Sequence, residues 1–60
     1  MRERRYVVAF VNRQTHERRS YRVYAFNKAD ADMEGFKKIQ SQEGDGWRAV
    51  WWPVGAEREV

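Results

Sequence analysis

The chain has 60 residues, nine of them aromatic by the count of three Trp, three Tyr and three Phe, and no cysteine. It is therefore one small domain, of a size that buries roughly 60% of its unfolded surface and is marginally stable alone. The missing cysteines exclude disulfides and a thiolate zinc site, which leaves an aromatic core or a partner subunit as the source of stability. Each buried ring removes about 150–250 Å² from water, so a few aromatics can carry such a core.

The net charge is +3, and it is unevenly spread. Residues 1–26 hold seven Arg against two Glu, and residues 27–60 hold five Lys or Arg against seven acids. Nine of the twelve cations are Arg, whose planar fork suits phosphate and carboxylate and stacks on aromatic rings. The basic half points to an anionic partner, either nucleic acid or an acidic protein surface. No run approaches the ~20 apolar residues of a membrane span. The stretch Tyr6–Val11 is too short for a signal-peptide core and has no small-residue cleavage site, so a soluble, cytoplasmic protein is expected.

In chain order, residues 6–11 (Tyr-Val-Val-Ala-Phe-Val) are β-branched and aromatic on both alternating faces, the pattern of a central strand. Residues 12–19 are polar and connect. Residues 20–26 alternate again as a second strand, and without Asn-Gly or Asp-Gly a longer hairpin loop is expected. Asn27 is a good N-cap, with Asp30 placed to reciprocate. Asp30, Asp32 and Glu34 complement the dipole of the helix that follows. Its apolar stripe is predicted as Ala29, Met33, Phe36 and Gln40 or Ile39. Gly35 costs about 1 kcal/mol in a helix, and close approach to the sheet would justify it. Gly44-Asp45-Gly46 ends the helix. Residues 47–52 (Trp-Arg-Ala-Val-Trp-Trp) are predicted as the third strand, which Pro53 stops or confines to an edge. The ordered core is expected over residues 5–54, with 55–60 a frayed, flexible tail.

These elements make one α+β domain over residues 1–60, a two-layer β-β-α-β unit. Its three-stranded antiparallel sheet has order 2-1-3, with one helix on one face. Pairing Tyr6, Val8 and Phe10 with Tyr21, Val23 and Ala25 gives an apolar inner face, which Trp47, Ala49 and Trp51 would complete. A one-residue slip would exchange every side chain. The other face, with nothing to cover it, would carry Val7, Ala9, Val11, Arg22, Tyr24, Arg48, Val50 and Trp52. Contiguous exposed apolar area marks interaction sites, and Trp, Tyr and Arg are the residues enriched in binding hot spots. Arg22, Tyr24, Arg48 and Trp52 are the expected centre of binding. Arg13, Arg18 and Arg19 form a basic patch at the hairpin loop, able to probe a nucleic-acid groove.

Catalysis is not expected. Asp30-Ala31-Asp32-Met33-Glu34-Gly35 echoes a calcium loop, but its twelfth position is Ser41 where a bidentate Glu is needed. His16 is the single histidine and has no partner at a meaningful spacing. The glycines form no phosphate loop, and so short a chain leaves little room for a substrate cleft. No cofactor, metal or small-molecule substrate is implied.

Val23-Tyr24-Ala25-Phe26-Asn27, then an acidic amphipathic helix, a glycine turn and a short strand ending at Pro53, resembles the small T7-type bacteriophage inhibitors of bacterial RNA polymerase. The resemblance spans residues 6–53 as a β-β-α-β pattern. It implies a protein that docks on a host enzyme. Those inhibitors rely on arginines of the third strand. The corresponding positions here are Trp51 and Pro53, and Arg48 is the only arginine in the predicted strand. Three functions follow as expectations: docking on a protein such as a host polymerase, binding nucleic acid through the same face, and forming a structural homodimer.

Overall fold

The computed structural model describes residues 2–59. Strand β1 is Arg4–Asn12, β2 is Arg18–Ala25, helix α1 is Lys28–Glu43, a 3₁₀ turn covers Trp47–Ala49, and β3 is Trp51–Arg58. The sheet order is β2-β1-β3 and both pairings are antiparallel. The α+β class, the β-β-α-β order and the central position of β1 follow the sequence pattern.

The hairpin is closed by its own side chains. Asn12 Oδ1 accepts from the backbone N–H of Gln14 and of Thr15, and the Asn12 N–H donates to the Glu17 carbonyl at 2.7 Å. Asparagine suits this turn because its short amide can mimic a backbone turn. His16 completes it at φ 64°, a left-handed conformation uncommon outside glycine. The first two strands put the predicted residues on the inner face, but two residues along from direct pairing: Tyr6 lies opposite Val23, Val8 opposite Tyr21, Phe10 opposite Arg19 and Ala25 opposite Arg4.

Asn27 caps α1, its Oδ1 accepting from the Asp30 N–H at 2.8 Å. Asp30 returns a bond to Phe26 N–H at 3.2 Å, one residue upstream of the expected one. The buried line of the helix is Ala31, Gly35 and Ile39, of which Ile39 alone belongs to the predicted stripe. Ala29 and Gln40 are exposed, Met33 is 56% exposed, and Phe36 is half-buried. The reason is steric. A Cβ on Gly35 would lie 2.5 Å from Val8 Cγ1 and 2.8 Å from Val8 Cβ, so the helix rests on the centre of β1 at the one residue without a side chain. The short residues face the sheet, and the bulkier Phe36 reaches down the flank. There it meets Phe10 and Trp47, with ring centroids 6.3 and 5.5 Å away. Phe10 also contacts Tyr21 and Trp47 edge-on, at 5.9 and 5.6 Å.

The third strand departs most from its predicted position. Residues 47–49 form the 3₁₀ turn, which drives Trp47 into the end of the core and leaves Ala49 exposed rather than on the inner face. Val50 packs against the core instead of standing on the open face. The strand starts at Trp51 and runs through Pro53 to Arg58. Residues 55–58, read as tail, are paired with β1, and Glu59 N–H still donates to the Arg5 carbonyl. Val60 lies outside the described residues. Pro53 is tolerated because β3 is an edge strand: backbone groups alternate between neighbours, and opposite Phe10 the proline nitrogen faces away from β1. Val54 is the extra residue of a bulge between the Phe10–Pro53 and Ala9–Gly55 pairs. Gly55 takes φ 137°, a conformation that favours glycine. The bulge resets the alternation, so that Trp51 before it and Ala56 after it both reach the core.

Gly35→Ala is expected to destabilise the fold despite the gain of about 1 kcal/mol in helix propensity. Overpacking against a fully buried valine costs about 1–3 kcal/mol. Urea unfolding of Gly35→Ala, and of the same change combined with Val8→Ala, checks this, since the second change should recover part of the loss.

Candidate functional site

The helix covers one sheet face, leaning toward β2. Among the described residues nothing covers the other. Its central strip is Val7, Ala9 and Val11 of β1, each only partly buried. Arg18, Ser20, Arg22 and Tyr24 of β2 flank it on one side, and Trp52, Val54 and Glu57 of β3 on the other. A shallow groove of about 340 Å³ follows the strip, its lining including Val7, Ala9, Arg18, Ser20, Val54 and Glu57.

The expected centre of binding is divided by the fold. Trp52 stands on the open face, 58% exposed, whereas Trp51 is 3% exposed beneath the helix side. Val11 lies between Arg18 and Trp52, so these three side chains form one row across the sheet. Arg13 joins them, its guanidinium 5.8 Å from the Trp52 ring. This hairpin end is basic and aromatic. Tyr24 is also on the open face, 64% exposed, but it pairs with Arg5 at the opposite end of the sheet. Its row at Arg5 lies six residue steps along β1 from that of Trp52 at Val11, or about 20 Å, so the two rings do not share a site. Arg22 turns inward over the face, its Nε 3.4 Å from Glu59 Oε2. That carboxylate oxygen is buried and has no hydrogen bond of good geometry.

Arg48 and Arg19 are not on this face. Arg48 sits in the 3₁₀ turn on the helix side, its guanidinium 4.7 Å from the Trp47 ring and 5.2 Å from that of Phe36. A strand extending back to residue 47 would put Arg48 on the open face, and the 3₁₀ turn removes it. Arg19 follows the alternation of β2 onto the inner face and spans the sheet there. Its guanidinium lies 4.3 Å from the Trp51 ring and donates to Glu43 Oε2 at 3.0 Å. Glu43 Oε1 accepts from Trp51 Nε1–H at 3.2 Å, and Tyr21 O–H donates to Gln42 at 2.8 Å. Arg19 is thus part of a clamp that holds the end of α1 on the sheet.

The sequence pattern missed Val54 and Glu57 because Pro53 and Gly55 read as a strand end. No local signal marks them, since the bulge brings Val54 and Glu57, of opposite parity, to one face while Ala56 turns to the core. Among the described residues no group of three or more His, Cys, Asp or Glu side chains could hold a metal ion. No helix there is long and apolar enough to cross a membrane. No family model, curated protein or solved structure matches the chain.

Two hydrogen bonds, first from Arg19 and then from Trp51, hold the Glu43 carboxyl below its ordinary value. The hydrogen bonds that Arg19 donates to the Tyr21 hydroxyl and to Glu43 raise its own pKa. A depressed carboxyl pKa stabilises the fold above the unfolded-state value, and that contribution is lost as pH falls through the folded-state value. The Trp51 indole N–H resonance is expected to shift with a midpoint below the normal glutamate range. Glu43→Gln should abolish that titration, as two-dimensional NMR across the acid range will show.

Proposed function

We propose that this chain is a non-catalytic binding protein that docks its open sheet face, hairpin end foremost, on an acidic surface of another protein. The supporting observation is the row of Arg18, Val11 and Trp52, extended by Arg13 and continued by the apolar strip down to Val7. An apolar centre with a charged rim is the ordinary composition of a protein interface, and an exposed indole beside guanidinium groups is the ordinary composition of its hot spot. Arginines that supply the rim select a carboxylate-rich partner. The likeness to phage inhibitors in the β-β-α-β pattern makes bacterial RNA polymerase the first partner to test.

The same end of the face supports nucleic-acid binding as a second reading, because Arg13 and Arg18 flank an indole on which a base can stack. The protein reading is preferred on two counts. Tyr24 is too far away to extend the stack, and Glu57 places a negative charge on the face.

Binding of the purified polymerase, measured by interferometry, should weaken by about 2 kcal/mol or more in Trp52→Ala, as for a hot-spot residue. Arg18→Glu should weaken it as well, and Lys37→Ala on the exposed side of the helix should not. Absence of binding eliminates the polymerase as partner, and binding indifferent to Trp52 eliminates the face. Oligonucleotide affinity that falls steeply with salt and depends on Trp52 would transfer the site to nucleic acid.

A further inference from the structure

The two edges of the sheet are not alike. The β3 edge is interrupted: Pro53 has no N–H to offer, and Val54 bulges. Gly55 bends the strand, and Trp51 and Ala56 are buried. The β2 edge is regular for eight residues, with no proline, glycine or bulge. In an antiparallel ladder every second residue turns its N–H and C=O away from a given neighbour. The hydrogen bond from Asn12 N–H to Glu17 and that from Glu59 N–H to Arg5 fix the alternation in β1. Even-numbered residues of β1 face β2, and odd-numbered ones face β3. Carried through the register, Arg19, Tyr21, Val23 and Ala25 bond to β1. The N–H and C=O groups of Arg18, Ser20, Arg22 and Tyr24 therefore point outward, and all four residues are exposed. A row of unpaired groups of this kind is a template for another strand.

We infer that the β2 edge takes an extended acidic segment of a partner protein as a fourth strand of the sheet. The main chain supplies the attraction in such strand addition, and the side chains along the edge select the sequence. Here the selection is by charge. β2 carries three arginines and no acid. Arg19 and Arg22 are engaged with Glu43 and Glu59, while Arg18 makes no ion pair among the described residues. Lys38 adds a cation on the helix side. It precedes Gln42 by one helical turn, and Gln42 is bonded to Tyr21 of β2, which puts Lys38 on the flank of the helix above this edge. Lys38 makes no ion pair among the described residues either. An added strand alternates its side chains between the two sides of the sheet, so acidic residues meet Arg18 on one side and Lys38 on the other. A second copy is disfavoured at the same place, because it would bring two acid-free arginine strands together. The inference does not rest on docking through the open face. The two surfaces adjoin along β2, but one uses side chains of the face and the other main-chain groups of the edge.

The test titrates the full chain with a labelled peptide of repeated Val-Val-Glu-Glu, which presents glutamate on both sides of an added strand. The readouts are fluorescence anisotropy and amide hydrogen exchange. The expected result is slowing of exchange at Ser20 and Arg22 by about tenfold or more, about 1.4 kcal/mol, with Tyr21 and Val23 unchanged. Ser20→Pro removes an outward N–H without touching the ladder to β1 and should weaken the peptide by a similar factor. Arg18→Glu should do the same at an exposed side chain, and it serves if the proline variant does not fold. A peptide with lysine in place of glutamate should not bind. The inference is overturned if the edge amides gain no protection or if the lysine peptide binds equally. It is also overturned if Trp52→Ala removes binding while Ser20→Pro and Arg18→Glu leave it intact, which would move the peptide to the open face. Self-association seen by light scattering and abolished by Ser20→Pro would overturn it in favour of a second copy. Failure of the polymerase experiment leaves all of these readouts unaffected.

Discussion

The contact between Gly35 and Val8 governs the layout of the molecule. With no side chain at Gly35, the helix settles onto the middle of β1 at a distance any Cβ would violate. The core can then be thin and still be filled, by Val8, Ala31 and Ile39 beneath the helix and by the rings of Phe10, Phe36 and Trp47 at its side. Burial of those rings supplies much of what a chain of this length can gather, since aromatic side chains contribute the largest areas. One helix spends its apolar side on one sheet face, and the opposite face is left uncovered as a consequence.

The same arrangement decides which arginines are free. Alternation along β2 sends Arg19 inward, where Glu43 and the Trp51 ring hold it, and sends Arg18 and Arg22 outward. Arg22 is drawn to Glu59 and Arg48 to the rings of Trp47 and Phe36. Arg13 and Arg18 are left beside Trp52. Exposed ion pairs contribute little to stability, but they determine where positive charge remains available. Of the seven arginines in residues 1–26, two thus mark the hairpin end of the open face, while Arg4 and Arg5 lie at the other end of β1.

The uneven sheet edges belong to the same logic. Proline and a bulge close the β3 edge, and positive charge alone guards the β2 edge. Charge discourages like partners and admits unlike ones, so an edge guarded in this way is selective rather than closed.

By itself the sequence determined the architecture. The doubly apolar run of β1 required a central strand, Asn27 and Gly44 bounded the helix, and one helix can cover only one face of the sheet. Which faces of β1 and β2 turn inward was legible, because alternation gathers Tyr6, Val8 and Phe10 with Tyr21, Val23 and Ala25 on one side; the register itself was not, since a slip of two residues keeps the same faces. Two things were decided by tertiary structure. The helix turned Ala31 and Gly35, together with the expected Ile39, to the sheet and left Met33 exposed, because close approach to Val8 outweighed side-chain hydrophobicity. The third strand slid past Pro53 to Arg58, because an edge strand can leave the proline nitrogen unpaired and a glycine bulge can restore the alternation. That shift kept Trp52 on the open face, removed Arg48 from it and brought Val54, Glu57 and Glu59 beside it. Local pattern cannot show this, since it depends on which neighbour each backbone group faces.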